Sequence, residues 1–123
     1  YGQSTDLIGV IIATVSGMNL NDFFELEITG PLGMNDTYFY VPKSKHDRLA
    51  VVYGATDTGI KRADDANEAK NYRESQGHYA SIGPMKAFSG GAGLVSTASD
   101  YAKLLSMLLN KGTLNGKTIL SPT

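Results

Sequence analysis

Acyl transfer to a side chain needs a nucleophile with a base in hydrogen-bond reach, so the serines are the first place to look. The 123 residues contain ten of them. A lysine one helical turn further on, S-x-x-K, is one way to supply the base. None of the ten serines has it, and no G-x-S-x-G occurs. The chain has no cysteine, which excludes disulfides, a thiolate nucleophile and thiolate metal sites. The two histidines, His46 and His78, stand apart in polar segments with no His-x-x-x-His and no carboxylate cluster beside them. They read as ordinary surface residues, and no metal site is expected. By residue type and spacing alone, the chain holds no self-sufficient catalytic set.

Two glycine-containing stretches invite other chemistry. "SGGAGLVST", residues 89–97, matches neither G-x-x-x-x-G-K-[ST] nor G-x-G-x-x-G, and no clear strand precedes it. A tight backbone turn into a helix is the better reading. "GKT" at residues 116–118 lacks the upstream glycine of a phosphate loop. As a K-T-G box it has Ile119 where the last glycine should stand, so it reads as one arm of an Asn-Gly turn. Asp64-Asp65, Lys43 and Lys45 read as solvated loop charges. Asn35-Asp36-Thr37 is a formal glycosylation sequon, meaningful only in a eukaryotic secretory pathway.

The elements that must carry these residues are mostly helical. Ser4, Thr5 and Asp6 can cap a helix start and Gly17 can stop it. Between them Leu7, Ile8, Val10, Ile11, Ile12, Ala13 and Val15 go nearly all the way round, which predicts a helix buried on most sides. A second helix is expected from an Asn21 cap through "DFFELEI" to Gly30, where Pro31 prevents continuation. "PLGMNDTYF" reads as a turn into an extended segment. "RLAVVYG" and "GIKRA" suit two strands of a hairpin across "ATDT". "DDANEAKNYRESQGHY" reads as a polar, weakly helical surface excursion. In "STASDYAKLLSMLLNKG", Thr97 and Asp100 fit a capping box. Tyr101, Leu104, Leu105 and Leu108 then form one helical stripe, and Gly112 closes the helix. "TLNGKTIL" suits a small hairpin on Asn115-Gly116.

At 123 residues, with 41% hydrophobic and 19% charged residues, the composition is that of a single globular domain, residues 1–123. The formal net charge of −1 leaves no electrostatic footprint for nucleic acid. The N-terminal apolar run is too short to span a bilayer. It has neither the basic start nor the cleavage site of a signal peptide. The compartment is not legible.

The segments in their order closely resemble the serine β-lactamase-like superfamily: class C β-lactamases, penicillin-binding-protein-like carboxylesterases and D-aminopeptidases. The resemblance rests on a tyrosine two residues before a polar side chain, opening an apolar helix that ends "VSG". It rests further on "NDFFELEITGPLGMNDTYF", "SGGAGLVSTASDYAKLLSMLL" and "GTLNGKTILSP". The most specific pieces are "PLGM.DT" and "GG.GLVST..DYA..L.MLL". The match is strong over residues 1–40 and 84–122 and weak between them.

That resemblance implies a mainly α chain with minor short strands, the helical domain of the β-lactamase/transpeptidase-like fold, lacking the α/β domain. It implies a parent serine hydrolase acting by acyl-serine transfer and hydrolysis on a small-molecule ester, amide or β-lactam, with no cofactor. Tyr1 would be the family's active-site tyrosine. A free phenol has a pKa of about 10, and a nearby ammonium lowers it so that the tyrosine can help a lysine deprotonate the serine. Gln3 stands where β-lactamases usually carry asparagine, which favours an esterase or peptidase relative. Gly91 and Ala92 match a segment bordering the substrate cleft, and class C β-lactamases tend to carry an aromatic where Ala92 stands. The S-x-x-K and the K-T-G or H-x-G boxes would lie outside these residues, so the chain alone is expected to be inactive. Without the α/β domain, apolar surface should stay open and promote self-association. The alternative is a non-catalytic helical binding or scaffolding module derived from the same family.

Overall fold

The apolar run beginning at Leu7 does form a helix, α1 (Ser4–Ser16), and Gly17 ends it in the left-handed conformation at φ 71°. Its environment differs from the expectation. Gly9 is the one buried residue of α1, while Leu7, Ile8, Val10, Ile11 and Val15 are all more than half exposed. Burial occurs where a neighbour comes close, and that happens at Gly9, whose missing Cβ lets Leu20 and Gly90 approach. Ile12 and Ala13 are half-buried, and the other apolar side chains of the run stay exposed among the described residues. The computed structural model describes residues 3–56, 58–62 and 88–122.

The cap of the next helix is Asn19 rather than Asn21; its side chain accepts the Asp22 amide. Helix α2 (Leu20–Phe24) passes into a π turn, Glu25–Thr29, and then into the short α3 (Gly30–Leu32). The path therefore continues through Pro31 and stops at Gly33, φ 65°. A wider turn explains the tolerance: proline normally collides with the carbonyl four residues back, and the π turn opens the helix just before it. Gly30 is required there, because a Cβ would lie 2.4 Å from the Glu25 carbonyl oxygen.

Two compact units share the chain, one made of Tyr1–Phe39 with Phe88–Thr123, the other of Tyr40–Ala87. In the first, Tyr38 and Val95 form an isolated antiparallel bridge. Thr97 caps helix α4 (Ala98–Leu109), accepting the Asp100 amide as the capping box predicts. The buried positions of α4 are Asp100 and Met107, not the expected apolar stripe. Tyr101, Leu105 and Leu108 face outward, and Leu104 alone of that set packs on the core. The core is Leu32, Met34 and Met107 with Ile28, Leu104, Leu114 and Ile119 around it. The Gly112 amide closes the helix end on Met107 O.

In the second unit a 3₁₀ turn, Lys43–Arg48, precedes β1 (Tyr53–Thr56) and β2 (Gly59–Arg62). They pair antiparallel from Tyr53↔Arg62 to Thr56↔Gly59. The expected hairpin is present, but Ala55 and Thr56, read as part of the turn, pair with Ile60 and Gly59, and β1 begins only at Tyr53. Back in the first unit, β3 (Thr113–Leu114) and β4 (Lys117–Thr118) form the second hairpin. Asn115 and Gly116 both take positive φ, 48° and 76°, the geometry of a type I′ turn. The polar stretch after Ala63 that contains His78 lies outside the described residues. No single helix among the described residues is long and apolar enough to cross a membrane.

Candidate active site

The glycine turn that precedes α4 is seated on the first turn of α1. Sequence dictates the closeness. A Cβ on Gly90 would come within 2.4 Å of the Thr5 carbonyl oxygen, and one on Gly91 within 2.8 Å of Thr5 Oγ1. Gly93 is equally confined, with Ser89 O at 2.5 Å and the Phe39 ring at 2.9 Å from its hypothetical Cβ. Only glycine allows the two backbones to meet in this way.

Polar bonds then lock the contact. The Ser89 hydroxyl donates to Asp6 Oδ1 at 2.6 Å, and the Gly91 amide approaches the same oxygen at 3.3 Å. Ser89 Oγ accepts from the Gly91 and Ala92 amides at 3.3 and 3.2 Å, and Ser89 O takes the Gly93 amide at 3.1 Å. Asp6 was expected to cap α1. Instead the N-cap is Gln3, with no side-chain cap bond, and Asp6 reaches across 83 positions of sequence to Ser89. The Ser89–Asp6 pair is not a nucleophile and its base. The Ser89 oxygen already accepts the Gly91 and Ala92 amides and is held inside the turn, so it is not free to attack a substrate.

Gln3 is exposed at the head of α1, its carbonyl accepting the Leu7 amide at 3.0 Å. It borders an open hollow of about 670 Å³ with Ser4, Asp6, Leu7 and Val10. A second hollow of about 400 Å³ runs along the glycine turn, walled by Phe24, Phe39, Ser89 and residues 90–94. Phe39 anchors that wall, in edge contact with Phe24 and Phe88, each 5.4 Å away between centroids. Gly91 and exposed Ala92 thus line one hollow, and Gln3 the other together with Asp6, which is also bonded to Ser89 of the first. Tyr1 lies outside the described residues. Asp6 and Ser89 were missed by sequence reasoning, since nothing in two short polar patches so far apart signals their pairing.

A second polar cluster sits on the other side of α4's first turn. Asp100, 4% exposed, accepts the Asp36 amide at 2.7 Å, Thr37 Oγ1 at 3.1 Å and Lys103 Nζ at 2.8 Å. Lys103 also donates to Gly33 O. Burial pushes the Asp100 carboxyl upward, but the bonds from Lys103, Asp36 and Thr37 and the lysine charge outweigh it. The result lies below the ordinary carboxylate value. The two most specific sequence pieces, "PLGM.DT" and "DYA", therefore meet as a structural clasp. The Thr37 hydroxyl of the sequon is part of it, also bonding Ser96 Oγ at 2.8 Å. His46 Nε2 bonds Val41 O at 2.9 Å, and among the described residues no three metal-ligating side chains gather.

Comparison with known proteins gives consistent matches. The family model described as Beta-lactamase matches residues 1–123. An uncharacterized protein of Mycobacterium tuberculosis is 32% identical over 122 residues, which are 99% of this chain and 28% of that protein. The lovastatin esterase of Penicillium rubens is 30% identical over 115 residues, 93% of this chain and 27% of the esterase. Among solved structures, EstCE1, a hydrolase with promiscuous acyltransferase activity, superposes with a TM-score of 0.70. It is 26% identical, and the match covers 99% of this chain and 32% of that one. The chain thus spans about a quarter to a third of the length of these relatives.

Proposed function

Because the chain belongs to the beta-lactamase family, we propose that it is the helical part of a serine hydrolase. The parent protein forms an acyl-serine on an ester, amide or β-lactam substrate and hydrolyses it. The S-x-x-K that supplies serine and lysine is not among these 123 residues, so the chain by itself is inactive. Tyr1 acts with that lysine as the general base. A neighbouring ammonium stabilises the phenolate, which brings the tyrosine's proton affinity toward the working range. Gln3 offers an amide that both donates and accepts, to orient the lysine or the substrate. Gly91 and Ala92 form a wall of the cleft.

The observation that carries this reading is the seating of the glycine turn on the first turn of α1. It brings the segment after Tyr1 and the segment of Gly91 and Ala92 onto one patch of the molecule, as a cleft built from both requires. Small acyl esters are the preferred substrates. An esterase stands among the relatives, and Ala92 leaves its side of the hollow open where an aromatic side chain would fill it.

The test uses the protein made from the full reading frame, assayed on p-nitrophenyl butyrate, a D-alanine anilide and a chromogenic cephalosporin. Ester hydrolysis should be the fastest, and Tyr1→Phe should lower kcat by about 10²–10⁴-fold, the range for loss of a general base. A Tyr1→Phe protein with unchanged kcat would remove Tyr1 from the mechanism. Absence of turnover on all three, with no labelling by a fluorophosphonate, would leave the non-catalytic binding module instead.

A further inference from the structure

We propose that Asp6 is the positioning residue of the cleft wall: its carboxylate orients the Ser89 hydroxyl, and Ser89 in turn holds the Gly91 and Ala92 amides. The functional half of this assignment rests on the hydrolase reading above. The structural half rests on geometry alone.

A free serine hydroxyl rotates, and its proton and lone pairs point wherever a partner is available. Here the proton is committed to Asp6 Oδ1 at 2.6 Å. With the proton so placed, both lone pairs of Ser89 Oγ face the turn, where the Gly91 and Ala92 amides lie at 3.3 and 3.2 Å. Asp6 also shares the Gly91 amide directly, at 3.3 Å. One carboxylate therefore governs two consecutive amides of the turn, one directly and both through Ser89.

The helix end of this arrangement is equally defined. Asp6 lies in the first turn of α1, one turn after Gln3. A wall tied to Asp6 moves with the segment that carries Gln3 and follows Tyr1. Gly90, Gly91 and Gly93 have no side chains with which to hold their own conformation. Close backbone approach fixes how near the turn sits, and the Asp6–Ser89 pair fixes how it is oriented. The bonds of Asp6 go to Ser89 and the Gly91 amide, so it acts through the turn.

Three variants separate this role from general stabilisation. Asp6→Ala removes the acceptor, Asp6→Asn keeps an oxygen in the same place, and Ser89→Ala removes the relay. Amide hydrogen exchange is measured on the full chain, and ester kinetics on the protein from the full reading frame. In Asp6→Ala and Ser89→Ala, exchange at Gly91 and Ala92 should rise at least about tenfold, as expected for losing a hydrogen bond to a charged group. Exchange in the middle of α4 should stay within about threefold of the original. Asp6→Asn should restore most of the protection. In the kinetics, KM for p-nitrophenyl butyrate should rise about fivefold or more in Asp6→Ala, kcat should fall less, and Asn should rescue.

Unchanged exchange at Gly91 and Ala92 in both alanine variants would overturn the assignment. So would an equal rise throughout α4, which marks a merely structural residue. So would a kcat loss without a KM change. A protein that hydrolyses none of the esters sinks the hydrolase reading, while the exchange data still decide whether Asp6 holds the turn.

Discussion

Helices α1 and α4 invert the usual relation between apolar content and burial. Between Leu7 and Val15, α1 is apolar apart from Gly9 and Thr14, yet Gly9 is its one buried residue and Val15 is 83% exposed. Polar Asp100 and Lys103 tie α4 to the 33–37 segment, and the helix buries Asp100 as well as Met107. A helix is held where specific partners meet it, and apolar side chains with nothing opposite them contribute no burial. In α1 those partners concentrate at the first turns, through Asp6 and Gly9. In α4 they run along a face made of Asp100, Lys103, Leu104 and Met107.

The contrast can be broken most severely at Asp100. Asp100→Ala removes the acceptor of the Asp36 amide and one partner each of Thr37 and Lys103, which keep Ser96 Oγ and Gly33 O. Unfolding free energy from urea titration should fall by about 2–3 kcal/mol, the range for hydrogen bonds to a charged group. The same clasp has an acid limit. A carboxyl whose folded pKa lies below the unfolded one, about 3.9, contributes stability in full above the unfolded value. That contribution disappears as pH falls through the lowered folded value. The urea midpoint between pH 6 and pH 2 should therefore drop in the original chain and vary less in Asp100→Asn.

Smaller changes sharpen the comparison. Thr97→Ala removes the cap of α4 while sparing the clasp, and should cost about 1 kcal/mol by the same titration. Val15→Ser alters an apolar residue of α1 that meets water, so stability should shift by no more than about 0.5 kcal/mol. Its effect belongs elsewhere. Self-association of the chain, followed by sedimentation velocity, should weaken, since the exposed side chains of α1 form an apolar surface open to a second copy. A large loss of stability in Val15→Ser would show that α1 is covered after all.

Local chemistry was legible wherever neighbours in sequence settle the conformation. Gly17 ends a helix because a left-handed residue there costs glycine nothing. Thr97 caps α4 through an amide three residues on, and Asn115-Gly116 turns a hairpin because both residues accept positive φ. The resemblance of the segments to the β-lactamase-like superfamily was legible too, and with it the mainly helical fold. The second helix shows where that reach fails. Pro31 signals a stop only if the helix before it is an ordinary one, and the π turn at Glu25–Thr29 changes that premise.

The same limit applies to the candidate site. Asp6 in sequence is a first-turn acid that could cap its own helix; in space it serves a serine 83 positions away. Asp100 reads as the second half of a capping box and turns out to hold the Asp36–Thr37 turn as well. Local pattern determines which residues start, stop and turn, because those energies depend on backbone torsions and on amides a few residues off. Which face is buried and which carboxylate meets which donor depend on contacts between distant segments. Those contacts exist only once the chain has brought the two backbones as close as Gly9 and Gly90 allow.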